Sequence, residues 1–161
     1  VLLTERSPNL SSHSGQVAFP GGKVDPEDRS NVAAALRETQ EEVGLDRHFI
    51  DVLGQLPIYT TGTRFVITPV VGLVREGFEL QPNADEVALA FEVPLSFLMN
   101  PAHHRRHRFM WDGRMREWFS MPYQVPGAPH VFSDMPPQDT EHYIWGATAG
   151  MLRNLYRFLL A

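Results

Sequence analysis

Glu38, Glu41 and Glu42 stand three and four positions apart, and in a helix that spacing sets their carboxylates along one face, with Arg37 beside them. Three carboxylates so placed repel one another, and near the C-terminal end of a helix the backbone dipole opposes them as well. A hard divalent cation removes both penalties. Magnesium, or manganese in its place, takes oxygen ligands and is commonly shared between a few carboxylates and substrate phosphates. Such an ion activates water and neutralises charge on a diphosphate, and a carboxylate outside its full coordination takes the proton of the water. The competing reading of an E-x-x-E-E segment is a solvated helical face.

The elements that must hold these groups are visible in the pattern. Val32, Ala35, Leu36 and Thr39 recur at the helical period from Asn31 to Val43, Gly44 is a stop, and Ser30 or Asn31 is the cap. Upstream, Pro20-Gly21-Gly22 forces a sharp turn after a short extended piece, Gln16–Phe19. Val1–Thr4 reads as a strand running into a Ser/Pro/Asn-rich loop, Ser7–Ser14. After Leu45 the pattern predicts strands over Val52–Ile58, Phe65–Val74 (broken by Pro69) and Glu86–Val93, then a short helix over Pro94–Met99. Asp112-Gly113-Arg114 between Phe109–Trp111 and Glu117–Met121 is a hairpin signal. Residues 122–140, rich in proline, read as a long irregular loop, and Tyr143–Leu160 as a closing amphipathic helix. Phe19, Tyr59, Phe65, Trp111, Trp118 and Trp145 are expected in the core. Together these elements predict an α+β domain with helices against a mixed sheet.

The 161 residues fit one domain, 1–161, and the opening Val-Leu-Leu reads as mid-strand, so further residues are expected upstream. The net charge of −5 argues against a nucleic-acid-binding protein, which needs a basic face. The run His103-His104-Arg105-Arg106-His107-Arg108 is the exception and reads as a solvated loop, because magnesium prefers oxygen and consecutive residues rarely converge on one ion. The absence of cysteine excludes disulfides, thiolate zinc sites and a cysteine nucleophile. It also fits a reducing compartment, so a cytoplasmic location is expected. No apolar run approaches the ~18 residues of a membrane span, so no membrane role is expected.

Arg37-Glu38-Thr39-Gln40-Glu41-Glu42-Val43-Gly44-Leu45 resembles the Nudix box, R-E-apolar-x-E-E-x-G-apolar, with Thr39 in the apolar slot. The gap back to Gly22 is one residue longer than in the common box, and the spacer carboxylate is either Glu27 or Asp28. Leu2-Leu3-Thr4-Glu5-Arg6-Ser7, Gly15 and Phe19-Pro20-Gly21-Gly22 are similar to the signature of the coenzyme A pyrophosphatase branch of that family, whose intervening arginine falls on Ser11 here. Glu86-Val87, Val93-Pro94-Leu95 and Ile144-Trp145-Gly146-Ala147-Thr148-Ala149 extend the likeness over most of the chain.

The resemblance implies the Nudix α/β/α sandwich and cleavage of the diphosphate of CoA, or of its acyl or oxidised forms, to 4′-phosphopantetheine and adenosine 3′,5′-bisphosphate. It implies a magnesium (or manganese) site of Glu38, Glu41, Glu42 and Gly22, with Glu41, Glu38, Arg37 and Glu86 in catalysis. Glu86 is either the extra carboxylate that such enzymes bring from outside the box or an exposed edge-strand residue. Arg6 is either a bidentate phosphate partner or half of a surface ion pair, and Ser7, His13 and Gln16 are hydrogen-bonding groups on the adjoining loop. Two other readings remain at this stage: a Nudix hydrolase of another diphosphate (ADP-ribose, a dinucleotide polyphosphate, an oxidised nucleotide), and a Nudix-like domain that binds a nucleotide without hydrolysing it.

Overall fold

The computed structural model describes residues 1–125 and 140–161. In chain order its elements are β1 (Leu2–Arg6), β2 (Val17–Ala18), α1 (Asn31–Val43), β3 (Ile50–Gln55), β4 (Tyr59–Thr60), β5 (Val66–Ile67), β6 (Val70–Val74), β7 (Val87–Glu92), α2 (Leu95–Leu98), β8 (Arg105–Trp111), β9 (Arg114–Val125), β10 (Thr140–Trp145) and α3 (Gly146–Leu159). They fall into two compact units, one of residues 2–15 and 19–91, the other of residue 1, 16–18 and 92–161.

The first unit carries α1. Its N-cap is Ser30, whose hydroxyl accepts from Ala33 N at 3.1 Å, and Gly44 ends it in the left-handed region at φ 69° with its N–H on the Gln40 carbonyl at 2.9 Å. Thr39 occupies its apolar slot because its hydroxyl donates back to the Ala35 carbonyl at 2.7 Å. In the same unit β1 lies beside β7, β3 pairs antiparallel with β6 through an irregularity at Val52/Gly54, and β4 pairs with β5. The expected strand 65–74 is thus two short strands separated at Pro69, which cannot donate to a ladder. Leu3, Ala34, Val43, Leu45 and Val87 are buried here.

In the second unit β9 is the centre of an antiparallel sheet ordered β10-β9-β8, and α3 lies against β9 and β10. Asp112 and Gly113 join β8 to β9 with φ 48° and 66°, the double positive φ of a two-residue type I′ hairpin. Thr148 of α3 donates to the Val17 carbonyl of β2 at 2.9 Å. Leu98, Met121, Ile144, Ala149 and Leu152 form the buried interior.

Several expectations are corrected here. The closing helix starts at Gly146, not Tyr143, because residues 143–145 pair with 120–122 of β9 and Gly146, at φ 61°, turns the chain from strand to helix. The run 103–108 is not a loop: Arg105–Arg108 open β8, with Arg106 and Arg108 both paired to Glu117 across the hairpin at 2.5 and 3.2 Å. His107 stacks on Trp118 at 3.9 Å on the other face. Of the expected loop 122–140, residues 122–125 and 140 belong to β9 and β10, and 126–139 lie outside the described residues. Phe65 and Trp145 are 58% and 39% exposed, so they are surface aromatics and not core.

Candidate active site

Two turns of α1 and the glycine turn ahead of it make the floor of the site. Glu42 is 5% exposed, and its Oε2 accepts from the backbone N–H of Gly21 at 3.1 Å. Gly21 holds φ 153°, a conformation that side chains rarely tolerate. Gly22 passes so close to Glu38 that a Cβ added there would overlap the Glu38 carboxylate. The two glycines thus let bare backbone lie across the carboxylate face of the helix.

Arg37 gathers the loop before the helix. It grips Asp28 with two parallel bonds, Nε to Oδ1 at 3.1 Å and Nη2 to Oδ2 at 2.9 Å, and donates to the Lys23 carbonyl at 3.1 Å. Its Nη1 donates to Glu38 Oε1 at 3.1 Å and to Glu41 Oε2 at 2.9 Å. Of the two candidate spacer carboxylates, Glu27 and Asp28, it is Asp28 that Arg37 grips, and its carboxyl is held below its usual range mainly by Arg37. Glu41 is the outermost of the three glutamates, with a half-exposed side chain.

Glu86 reaches this face through the end of the helix. The carbonyls of Val43 and Glu42, which a helix terminus leaves unpaired, accept from Gln81 N at 2.8 Å and Asn83 N at 2.9 Å. Three residues on from Asn83, Glu86 begins the approach to β7, and its carboxylate accepts from Asn83 Nδ2 at 3.1 Å. It lies within electrostatic reach of both Glu38 and Glu42. Burial, first, and then repulsion from Glu38 and Glu86 push the Glu42 carboxyl up to about 7, against the Gly21 hydrogen bond and the attraction of Arg6. Glu38 is also raised, by burial, with Arg37 opposing and Glu41 and Glu86 adding.

Arg6 ends β1, and its buried Nε has no hydrogen-bond acceptor among the described residues. Ser7 is 2% exposed; its N–H donates to the Glu86 carbonyl at 2.8 Å and its hydroxyl accepts from Asn9 N at 3.4 Å, so it pins the loop to the start of β7. His13 is exposed at φ 56° in that loop, which closes where Gly15 N donates to the Arg6 carbonyl at 3.1 Å. Arg6, Ser7, His13, Gly22, Arg37, Glu38, Glu41, Glu42 and Glu86 all belong to the first unit, whereas Gln16 belongs to the second.

Sequence reasoning passed over Asn83, although asparagine ahead of a strand is a common Asx-turn residue. Among the described residues no three acidic or imidazole side chains stand as a ready-made metal cluster. The donor set nonetheless fits a hard cation: Glu38 and Glu42 are oxygen donors whose charge burial and the neighbouring carboxylates disfavour, Glu86 among those neighbours, and a divalent ion would relieve that.

Residues 1–119 match the NUDIX domain, and the chain belongs to that family. It is a Nudix hydrolase with an α+β fold, and its family implies a nucleotide-derivative substrate and a divalent metal ion. Among curated relatives it is similar to the uncharacterized Nudix hydrolases NudL of Photorhabdus laumondii (39% identical over 155 residues, 96% of this chain and 74% of that one) and Citrobacter koseri (40% over 157 residues, 96% and 72%). Among solved structures, the MutT protein of Methanosarcina mazei Go1 is 25% identical with a TM-score of 0.45, covering 61% of this chain and 69% of that one.

Proposed function

We propose that this Nudix hydrolase is a magnesium- or manganese-dependent pyrophosphohydrolase that cleaves the diphosphate of CoA or its derivatives to 4′-phosphopantetheine and adenosine 3′,5′-bisphosphate, in the cytoplasm. The observation that carries the substrate is the run Leu2-Leu3-Thr4-Glu5-Arg6-Ser7 with Gly15 and Phe19-Pro20-Gly21-Gly22, similar to the CoA pyrophosphatase signature. The buried, unpaired Nε of Arg6 supports it, since a phosphate oxygen would satisfy that donor.

In this reading Glu38, Glu41, Glu42 and the backbone of Gly22 hold the cation. When bound, it supplies an activated water and neutralises charge on the diphosphate. The water oxygen forms the new bond to phosphorus, the bridging P–O bond breaks, and the second phosphate monoester departs. Glu86 or Glu41 takes the proton of the water, Arg37 holds Glu38 and Glu41 in place, and Arg6 orients the diphosphate. Ser7 keeps Arg6 and Glu86 on adjoining backbone, and His13 supplies a hydrogen bond to the substrate.

Incubating the protein and a divalent ion with equimolar CoA, ADP-ribose, a dinucleotide polyphosphate and an oxidised nucleotide, with products resolved by mass, tests the reading. CoA should be consumed first, to the two products named. Preference for ADP-ribose would overturn the substrate, and absence of turnover on every diphosphate, with tight binding, would overturn the enzyme. Glu38→Gln and Glu42→Gln should each lower CoA turnover by about two orders of magnitude or more with the circular dichroism unchanged. Wild-type turnover in either would remove the glutamate face from the mechanism.

A further inference from the structure

We propose that Asn83 is the positioning residue for Glu86: it ties the Glu86 carboxylate to the C-terminal end of α1, so that helix and outlying carboxylate move as one body. The inference deepens the proposed function and rests on the catalytic role given there to Glu86.

Every polar group of Asn83 is committed. Its N–H donates to the Glu42 carbonyl at 2.9 Å, and its carbonyl accepts from Glu86 N at 3.0 Å and Val87 N at 2.8 Å. Its side-chain oxygen accepts from Asp85 N at 3.2 Å, closing an Asx turn, and its amide nitrogen donates to Glu86 Oε1 at 3.1 Å. That pattern fixes the orientation of the amide: rotated by half a turn, it would set a donor against the Asp85 N–H and an acceptor against a carboxylate. One residue therefore holds the backbone of Glu42 with its main chain and the side chain of Glu86 with its amide. Among the described residues, Asn83 is the one side chain hydrogen-bonded to the Glu86 carboxylate.

Asn83→Asp tests this with little change of shape. The aspartate keeps the turn-closing oxygen and all three backbone bonds but replaces the donor facing Glu86 with a second carboxylate. In the wild-type background N83D should lower kcat on CoA roughly tenfold, as loss of an outer partner of a catalytic group does, with KM within about twofold. In an E86Q background the glutamine amide can donate to the new aspartate, so N83D should change kcat by less than about twofold.

The metal-free protein gives a second readout, independent of turnover. At about pH 8, N83D should lower Tm by about 2–4 °C in the wild-type background and by less than half of that in E86Q. Equal losses of kcat and Tm in both backgrounds would show Asn83 to be a general structural residue and overturn the inference, as would no loss in wild type. E86Q with wild-type kcat is a different failure: it removes the role of Glu86 itself, and the positioning role falls with it. Should N83D not fold, Asn83→Ser, which retains a turn-closing oxygen but not the reach to Glu86, enters the same kcat cycle with the same expectations.

Discussion

The groups with the sharpest chemical signature, Glu38, Glu41, Glu42 and Arg37, were legible from spacing because a helix maps three- and four-residue intervals onto one face. Their inequality was not. Glu42 is buried under Gly21 and Glu41 is half exposed beside Arg37, a difference set by the turn and not by the helix. The same turn yields a pH prediction. The Glu42 carboxyl rises from an ordinary 4.5 to about 7 on folding, so folding takes up a proton between those values. The metal-free protein should gain stability as pH falls through that window and lose it as pH rises, by about 3 kcal/mol for one carboxyl so displaced. Asp28, held low by Arg37, works the other way, but only at pH values below its ordinary 3.8. Denaturant midpoints of the metal-free protein at about pH 5 and pH 8 should diverge in wild type and diverge by less in Glu42→Gln, where the raised Glu38 carboxyl remains; an equal pH dependence in both would assign the effect elsewhere. Asn83 escaped sequence reasoning, which also left Glu27 and Asp28 as alternatives, because Asn83 and Asp28 each act through a contact across a loop, which no local period encodes.

Among the elements, α1 was readable to its ends because three independent signals agreed: an apolar period, a capping Ser30 and a terminal Gly44. Elsewhere the periods competed. Ile144 is buried as a strand residue and would also fit a helical stripe, so the closing helix read three residues too long at its start until the pairing of 143–145 with β9 decided it. In β8 the charge of Arg105, Arg106 and Arg108 hid a period of two that becomes visible only once Glu117 and Trp118 stand opposite. The end of α1 also bears a prediction. Gly44 sits at φ 69°, and a Cβ there would meet Gln81 Cβ at 2.8 Å and its backbone N at 3.0 Å. Gly44→Ala should cost about 1–2 kcal/mol for the left-handed backbone alone. Thermal melts should show that loss together with reduced kcat on CoA, since displacing residue 81 disturbs the strap that leads to Glu86; an unchanged kcat would separate the helix terminus from the site.

For the molecule as a whole, composition excluded classes and motifs supplied the family, while the division into two compact units had no sequence signal, because no linker, repeat or compositional shift marks it. We propose that residues 1–161 nonetheless fold as one domain. Calorimetry should then give a single transition with equal calorimetric and van't Hoff enthalpies, and two resolved transitions would count against it. No helix among the described residues is long and apolar enough to cross a membrane. One requirement in the glycine turn ahead of α1 is set by the lack of a side chain. At Gly22 the peptide lies flush with Glu38, and any side chain would occupy the volume of the carboxylate. Position 22 thus acts as a steric gauge beside the role proposed for its backbone, and a survey of reactive side chains would pass over it as blank.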